Sequence, residues 1–104
     1  MVFTFVETRL FTGLVSRYLS DDEYADLQRT LIADPEAGDV IRGTGGVRKL
    51  RRGIAGRGKR GGIRIIYYVR AQQSQIWMLT LYAKNEEQTI RAHVLRKIRE
   101  EISG

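Results

Sequence analysis

Two short runs, IRIIYYVR at residues 63–70 and IWMLTLY at residues 76–82, decide the fold of this chain. Both are rich in β-branched and aromatic residues, and the stretch AQQSQ between them is mostly polar. Runs of this length and composition form β-strands, and so short a connection joins antiparallel neighbours. We therefore predict a β-hairpin at the centre of a sheet.

Two helices are predicted on the N-terminal side of the hairpin, after a β-prone run at residues 2–6. The apolar residues of 10–19 recur with helical spacing, which indicates an amphipathic helix. Ser20 and Glu23 form a capping box that begins a second helix, and this helix ends near Pro35. The two helices are expected to pack on the sheet as a hairpin.

A further strand is predicted at residues 47–51, between two glycine-rich segments. Residues 38–46 contain four glycines, and residues 52–62 contain five glycines with four basic residues and no hydrophobic period. Both segments are typical of loops. The second is expected to be a flexible basic loop.

The C-terminal part of the chain predicts one closing helix. Residues 85–88 resemble a helix N-cap, and isoleucine or valine then recurs every fourth residue at Ile90, Val94, Ile98 and Ile102. The complete prediction is one α+β domain of residues 1–104, in which a helical hairpin and a C-terminal helix pack on a mostly antiparallel four-stranded sheet.

Charge is distributed unevenly along the 104 residues, whose formal net charge is +6. No acidic residue lies between Asp39 and Glu86, whereas eleven basic residues do. A region of one sign favours a polyanionic partner, either nucleic acid or an acidic protein. A well-solvated surface is the plainer explanation, but such surfaces usually mix both signs.

Composition also restricts the chemistry and the compartment. The chain has no cysteine and one histidine, and its basic region has no carboxylate cluster, so we expect no metal and no cofactor. No apolar stretch at the N-terminus is long enough for a secretory signal. A cytoplasmic protein is the expectation.

Arg64 is the most informative single residue, because it lies inside a predicted central strand. A half-buried guanidinium normally needs an anion. That anion could be a nucleic-acid phosphate, or it could be Asp39 or a glutamate of the last helix in a structural ion pair. Lys49 and Arg51 share a face of the predicted strand 47–51 and could face Arg64 across a groove.

A nuclease built from such cations, without a metal, would have to use the ribose 2′-OH as its nucleophile and would therefore cut RNA. Arginine suits the phosphate charge of the transition state, and a lysine crowded by arginines loses its proton more easily than an exposed one. Tyr82 could stack a base, although aromatic residues in strands more often belong to the core.

Three segments of the sequence resemble the RelE superfamily of bacterial toxins, and within it the HigB branch. They are residues 48–51 (RKLR), 62–68 (GIRIIYY) and 79–86 (LTLYAKNE), and the resemblance extends over essentially the whole chain. It implies a RelE-like fold and a ribosome-dependent mRNA endonuclease, the toxin of a toxin–antitoxin pair. The implied partners are the small ribosomal subunit, mRNA and a HigA-like antitoxin with a helix-turn-helix DNA-binding domain. The toxin alone is expected to be monomeric.

Carried over by position, the resemblance implies specific roles for individual residues. The catalytic cations are Lys49, Arg51, Arg64 and Lys84. Arg64 would stabilise the phosphate charge, and Lys49 or Lys84 would take part in proton transfer, while the general acid and base stay unassigned. The RNA-binding residues are Arg48, Arg57, Lys59, Arg60, Tyr82 and Asn85.

Two other functions stay open at this point. ParE-like toxins of the same superfamily poison gyrase and are not nucleases, although they generally lack the full cationic set. A non-catalytic protein that binds ribosomal RNA would fit the composition equally well.

Overall fold

The computed structural model describes residues 2–53, 62–86 and 90–103. In chain order, the elements are β1 (Thr4–Glu7), α1 (Arg9–Tyr18), α2 (Asp21–Ala33), β2 (Asp39–Val40), β3 (Arg48–Arg52), β4 (Ile63–Arg70), β5 (Gln75–Ala83) and α3 (Ala92–Ser103). The strands form a sheet in the order β1-β5-β4-β3-β2. β1 runs parallel to β5, and the other neighbouring strands are antiparallel.

The central hairpin and the helical hairpin are confirmed. β4 occupies residues 63–70 as predicted, and β5 extends the predicted strand by one residue at each end. The capping box at the start of α2 is complete, because the Ser20 hydroxyl accepts from the Glu23 amide and the Glu23 carboxylate accepts from the Ser20 amide. Thr8 caps α1 and also donates to the carbonyl of Leu79, which ties this helix to β5.

The prediction of four strands is wrong, since the sheet has a fifth strand, β2. This strand has two residues, Asp39 and Val40, which pair with Lys49 and Arg48 at the edge of the sheet. Two residues are too few to show an alternating pattern, and the glycines around them favoured a loop. The addition matters because it brings an acidic residue beside the basic strand β3.

The predicted start of the last helix is also wrong, because α3 begins at Ala92 rather than at residues 85–88. The Glu86 carboxylate accepts from the amide of Ala83, the last residue of β5. The predicted stripe is correct at Ile90, Ile98 and Ile102, which pack against a core, but Val94 is exposed and Leu95 is buried in its stead. A spacing of four residues drifts around a helix that has 3.6 residues per turn.

The sheet separates two cores. On one face, α1 and α2 bury residues of β4 and β5 that include Ile63, Ile65 and Tyr67. On the other face, α3 covers Ile66 and Leu79 and partly buries its neighbours. Strand alternation therefore assigns the residues of β3 and β4 either to the helical hairpin or to the α3 face, and the residues of β5 follow it on each side of an irregularity near Leu79.

Tyr67 joins the centre of the sheet to the segment after α2, and its side chain is completely buried. Its hydroxyl accepts from the amide of Gly38 at 2.8 Å and donates to the carbonyl of Pro35 at 2.8 Å. We expect Tyr67→Phe to lower the free energy of unfolding by about 1–3 kcal/mol, because the buried Gly38 amide loses its acceptor. Urea denaturation measures this change, and an unchanged midpoint would contradict it.

Candidate functional site

A row of three side chains crosses the α3 face of the sheet near one end. Arg51 of β3 lies opposite Arg64 of β4, and Arg64 lies opposite Tyr82 of β5. Residues paired in this way have Cβ atoms about 5 Å apart and share a face. We call Arg51, Arg64 and Tyr82 the cross-strand row.

A β-bulge in β5 produces this alignment. Ile66 pairs with Thr80 and Tyr67 pairs with Met78, so Leu79 has no opposite residue on β4. One extra residue shifts the register of everything that follows it on the strand. Without it, Leu81 would lie opposite Arg64, so the bulge is what brings Tyr82 into the cross-strand row.

Lys49 lies two residues before Arg51 on β3, and therefore on the same face as the cross-strand row. It is paired with Ile66 on β4 and with Asp39 on β2. The Asp39 carboxylate also approaches the Arg51 guanidinium at 3.8 Å, and both of these side chains are largely exposed. Asp39 thus offsets part of the positive charge from the edge of the sheet.

The structure brings Lys49, Arg51, Arg64 and Tyr82 together, but as neighbours on one surface. The prediction that Arg51 faces Arg64 across a groove is wrong, because β3 and β4 are adjacent hydrogen-bonded strands. Alternation along each strand had correctly predicted that Lys49 and Arg51 share a face. The sequence does not indicate which strands are neighbours in the sheet.

Arg51 and Arg64 lie directly opposite each other, and this pair is expected to lower the stability of the fold. Like charges directly opposite each other on a sheet are destabilising, and proteins depart from such local rules mainly at functional sites. The charges of Arg64 and Arg51 also act on Tyr82: burial raises the pKa of its hydroxyl, and the two guanidinium groups oppose that rise. The hydroxyl therefore stays protonated at neutral pH while lying within the field of both cations.

Lys84 and Asn85 follow directly after β5 and are exposed. They are the central residues of a turn that the Glu86 amide closes on the carbonyl of Ala83 at 2.9 Å. The Lys84 amide donates to the carbonyl of Gly62 at 3.1 Å, which holds the start of this turn beside the start of β4. Both residues are thus close in sequence to Tyr82 and next to the strand that carries Arg64.

Arg48 is separate from these residues. It is paired with Tyr67, so it belongs to the opposite face of the sheet. Its guanidinium donates to the carbonyl of Gly38 at 2.7 Å and forms an ion pair with Glu36 at 3.2 Å. We therefore leave Arg48 out of the candidate RNA contacts and assign it to the structure around the end of α2.

The other predicted RNA-binding cations, Arg57, Lys59 and Arg60, lie outside the described residues. In the sequence they lie between β3 and β4, the two strands that carry Arg51 and Arg64.

One cavity lies away from the cross-strand row. This cavity of about 420 Å³ is lined by Phe3, Pro35 and Arg48 among others, at the end of the sheet near the β4–β5 connection.

Within the described ranges, no three histidine or acidic side chains come together as a metal site would require. Nor does any helix in those ranges have the length and apolar character needed to cross a membrane.

Glu86 is a functional candidate that the sequence analysis missed. Its carboxylate accepts from the hydroxyl of Tyr18 at 2.6 Å and from the amide of Ala83 at 2.7 Å. Tyr18 is 68 residues away in the sequence, so no local pattern could have indicated the contact. The pair connects the last turn of α1 to the turn that carries Lys84.

No model of a known protein family matches this chain. Its fold is similar to that of the E. coli toxin RelE, solved in the free state as a double arginine-to-alanine mutant. The match has a TM-score of 0.59 and covers 95% of this chain and 98% of that chain, with 15% sequence identity. At this identity the likeness is one of fold, and the fold is the RelE-like α+β fold that the sequence predicted.

Proposed function

We propose that this chain is a HigB-like toxin of the RelE superfamily that cuts mRNA on the ribosome without a metal ion. The observation that carries the proposal is the in-register cross-strand row with Lys49 beside it: two guanidinium groups, an ammonium group and an aromatic ring on the same face of the sheet. Cations and an aromatic ring side by side can bind a single-stranded message, the cations through its phosphates and the ring by stacking on a base.

In the proposed reaction, the ribose 2′-OH attacks the adjacent phosphorus and the 5′-oxygen of the next nucleotide leaves. Arg64 and Arg51 bind the two non-bridging phosphate oxygens and stabilise the charge that develops on them. Lys49 or Lys84 takes part in proton transfer. The products are a 2′,3′-cyclic phosphate and a 5′-hydroxyl, so the atoms balance without water in this step.

The proposed partners follow from the same assignment. The 30S subunit and its mRNA are the substrate complex, with the basic loop of Arg57, Lys59 and Arg60 and the turn residue Asn85 as further RNA contacts. A HigA-like antitoxin with a helix-turn-helix domain would neutralise the toxin, which acts as a monomer in the cytoplasm.

Brief induction of the chain in bacterial cells, followed by mapping of mRNA 5′ ends, tests the proposal. Growth arrest with new 5′ ends inside translated regions is the expected result, and the antitoxin should suppress both. Arrest with DNA damage and intact messages would indicate a gyrase-poisoning toxin instead. Intact messages and normal growth, with the protein bound to ribosomes, would indicate a non-catalytic RNA-binding protein.

Tyr82 allows a test of how the cross-strand row contacts a base. If its ring stacks on the message, Tyr82→Phe keeps the ring and should retain cleavage, whereas Tyr82→Leu should weaken it about 10- to 100-fold, as expected for the loss of one base–aromatic stack. Single-turnover cleavage of ribosome-bound mRNA measures both variants. Loss of activity in Tyr82→Phe would show that the hydroxyl rather than the ring is needed.

A further inference from the structure

One carboxylate links the turn after β5 to helix α1, in addition to the backbone hydrogen bonds that close the turn. Glu86 Oε1 accepts from the Ala83 amide within the turn and from the Tyr18 hydroxyl of α1. The Tyr18 contact of 2.6 Å is in the range of strong charge-assisted O–H···O⁻ hydrogen bonds. Burial and the adjacent Glu86 carboxylate raise the pKa of Tyr18, so its hydroxyl keeps the proton that it donates.

The hydrogen bond between Tyr18 and Glu86 joins a buried residue of α1 to the exposed turn after β5. Tyr18 is 7% exposed and belongs to the core under the helical hairpin, whereas Lys84 and Asn85 are exposed. A lysine on a turn can move with its backbone, and a displacement of about 1 Å in a catalytic group can reduce the rate about 100-fold. Anchoring the turn to a buried tyrosine restricts that movement.

We infer that Glu86 is a positioning residue that fixes the Lys84 turn by accepting hydrogen bonds from Tyr18 and Ala83. The inference rests on the proposed function in one respect, the role of Lys84 in proton transfer. Glu86 itself takes no part in the chemistry, so an acceptor oxygen is essential at this position, and the charge only strengthens the contact.

A set of substitutions separates this role from a catalytic one. Glu86→Gln keeps an oxygen that can accept both hydrogen bonds, and it should cut within about threefold of the unchanged protein. Glu86→Ala should lower kcat about 10- to 100-fold with KM for the programmed ribosome unchanged. If Glu86→Gln is as inactive as Glu86→Ala, the carboxylate charge is needed and the inference is overturned.

Lys84→Ala completes a double-mutant cycle. If Glu86 acts through Lys84, Glu86→Ala has little further effect once Lys84 has been replaced. Independent effects that multiply in the double variant would overturn the inference.

A matched tyrosine controls for a general loss of stability. Tyr24 of α2 donates to Glu7 of β1 at 2.7 Å, which is the same kind of contact at a different place in the fold. Tyr18→Phe should reduce kcat, while Tyr24→Phe should leave it unchanged at a comparable cost in stability. Equal losses of activity in the two variants would mean that Tyr18 is merely structural.

Amide hydrogen exchange tests the contact without any cleavage assay. The Ala83 amide should exchange faster in Glu86→Ala than in the unchanged protein, and Glu86→Gln should keep its protection. Unchanged protection in Glu86→Ala would overturn the inference even in an active nuclease. Conversely, if protection depends on Glu86 but no RNA is cut, the proposed function fails while the contact stands.

Discussion

Arg64→Gln is expected to reduce mRNA cleavage about 100- to 1,000-fold, the usual effect of removing one group that stabilises transition-state charge. Arg64 is the middle member of the cross-strand row, with Arg51 on one side and Tyr82 on the other. Glutamine keeps most of the side-chain length but not the charge or the paired N–H donors that bind a phosphate. Single-turnover cleavage on programmed ribosomes measures the loss.

The fold should survive this substitution. Removing one of two opposed arginines relieves a like-charge repulsion, which offsets the contacts that the guanidinium loses, so the melting temperature of Arg64→Gln should stay close to that of the unchanged protein. Arg70 is a matched control because it is on the same strand and the same face, at the far end of β4, where it contacts Gln75. Arg70→Gln should cut normally, and equal losses in the two variants would mean that only total charge matters.

Gly62→Ala is expected to disrupt the end of the sheet that carries the cross-strand row. Gly62 has a φ of +60°, and a Cβ atom built there would lie 2.0 Å from the backbone carbonyl oxygen of Arg52. The left-handed conformation alone costs about 1–2 kcal/mol for a residue other than glycine. The collision is with backbone, so β3 and β4 must separate at this end, and we expect a total loss above about 2 kcal/mol.

Gly13→Ala is the control for this change. Gly13 is in α1, and a Cβ there would have no atom within 4 Å. Alanine is favoured over glycine inside a helix by about 0.5–1 kcal/mol, so this variant should be slightly more stable. Thermal unfolding compares the two, and cleavage should fall in Gly62→Ala alone. A Gly62→Ala protein as stable as Gly13→Ala would contradict the described geometry.

Local patterns were sufficient to predict most of the elements. Composition and length identified β4 and β5, and the capping box placed the start of α2. Strand alternation also grouped Lys49, Arg51 and Arg64 correctly. Alternation along β3 also places Arg48 with Leu50 on the face of the helical hairpin, away from Lys49 and Arg51.

Other parts of the site depend on contacts that no local pattern records. The bulge at Leu79 is a matter of register between two strands, and it determines that Tyr82 rather than Leu81 lies beside Arg64. The two-residue strand β2, which brings Asp39 to Arg51, is stabilised only by pairing with β3. Both features arise from tertiary context, which overrides short-range propensity.

The most direct test of the central claim uses ribosomes programmed with an mRNA whose 2′-hydroxyl is replaced by hydrogen at the cleaved position of the A-site codon. We predict that the purified protein cuts the all-ribose message to leave a 2′,3′-cyclic phosphate and a 5′-hydroxyl, and that it leaves the 2′-deoxy message intact. Cleavage of the 2′-deoxy message at the same position would contradict a mechanism in which cationic side chains act on the message's own hydroxyl.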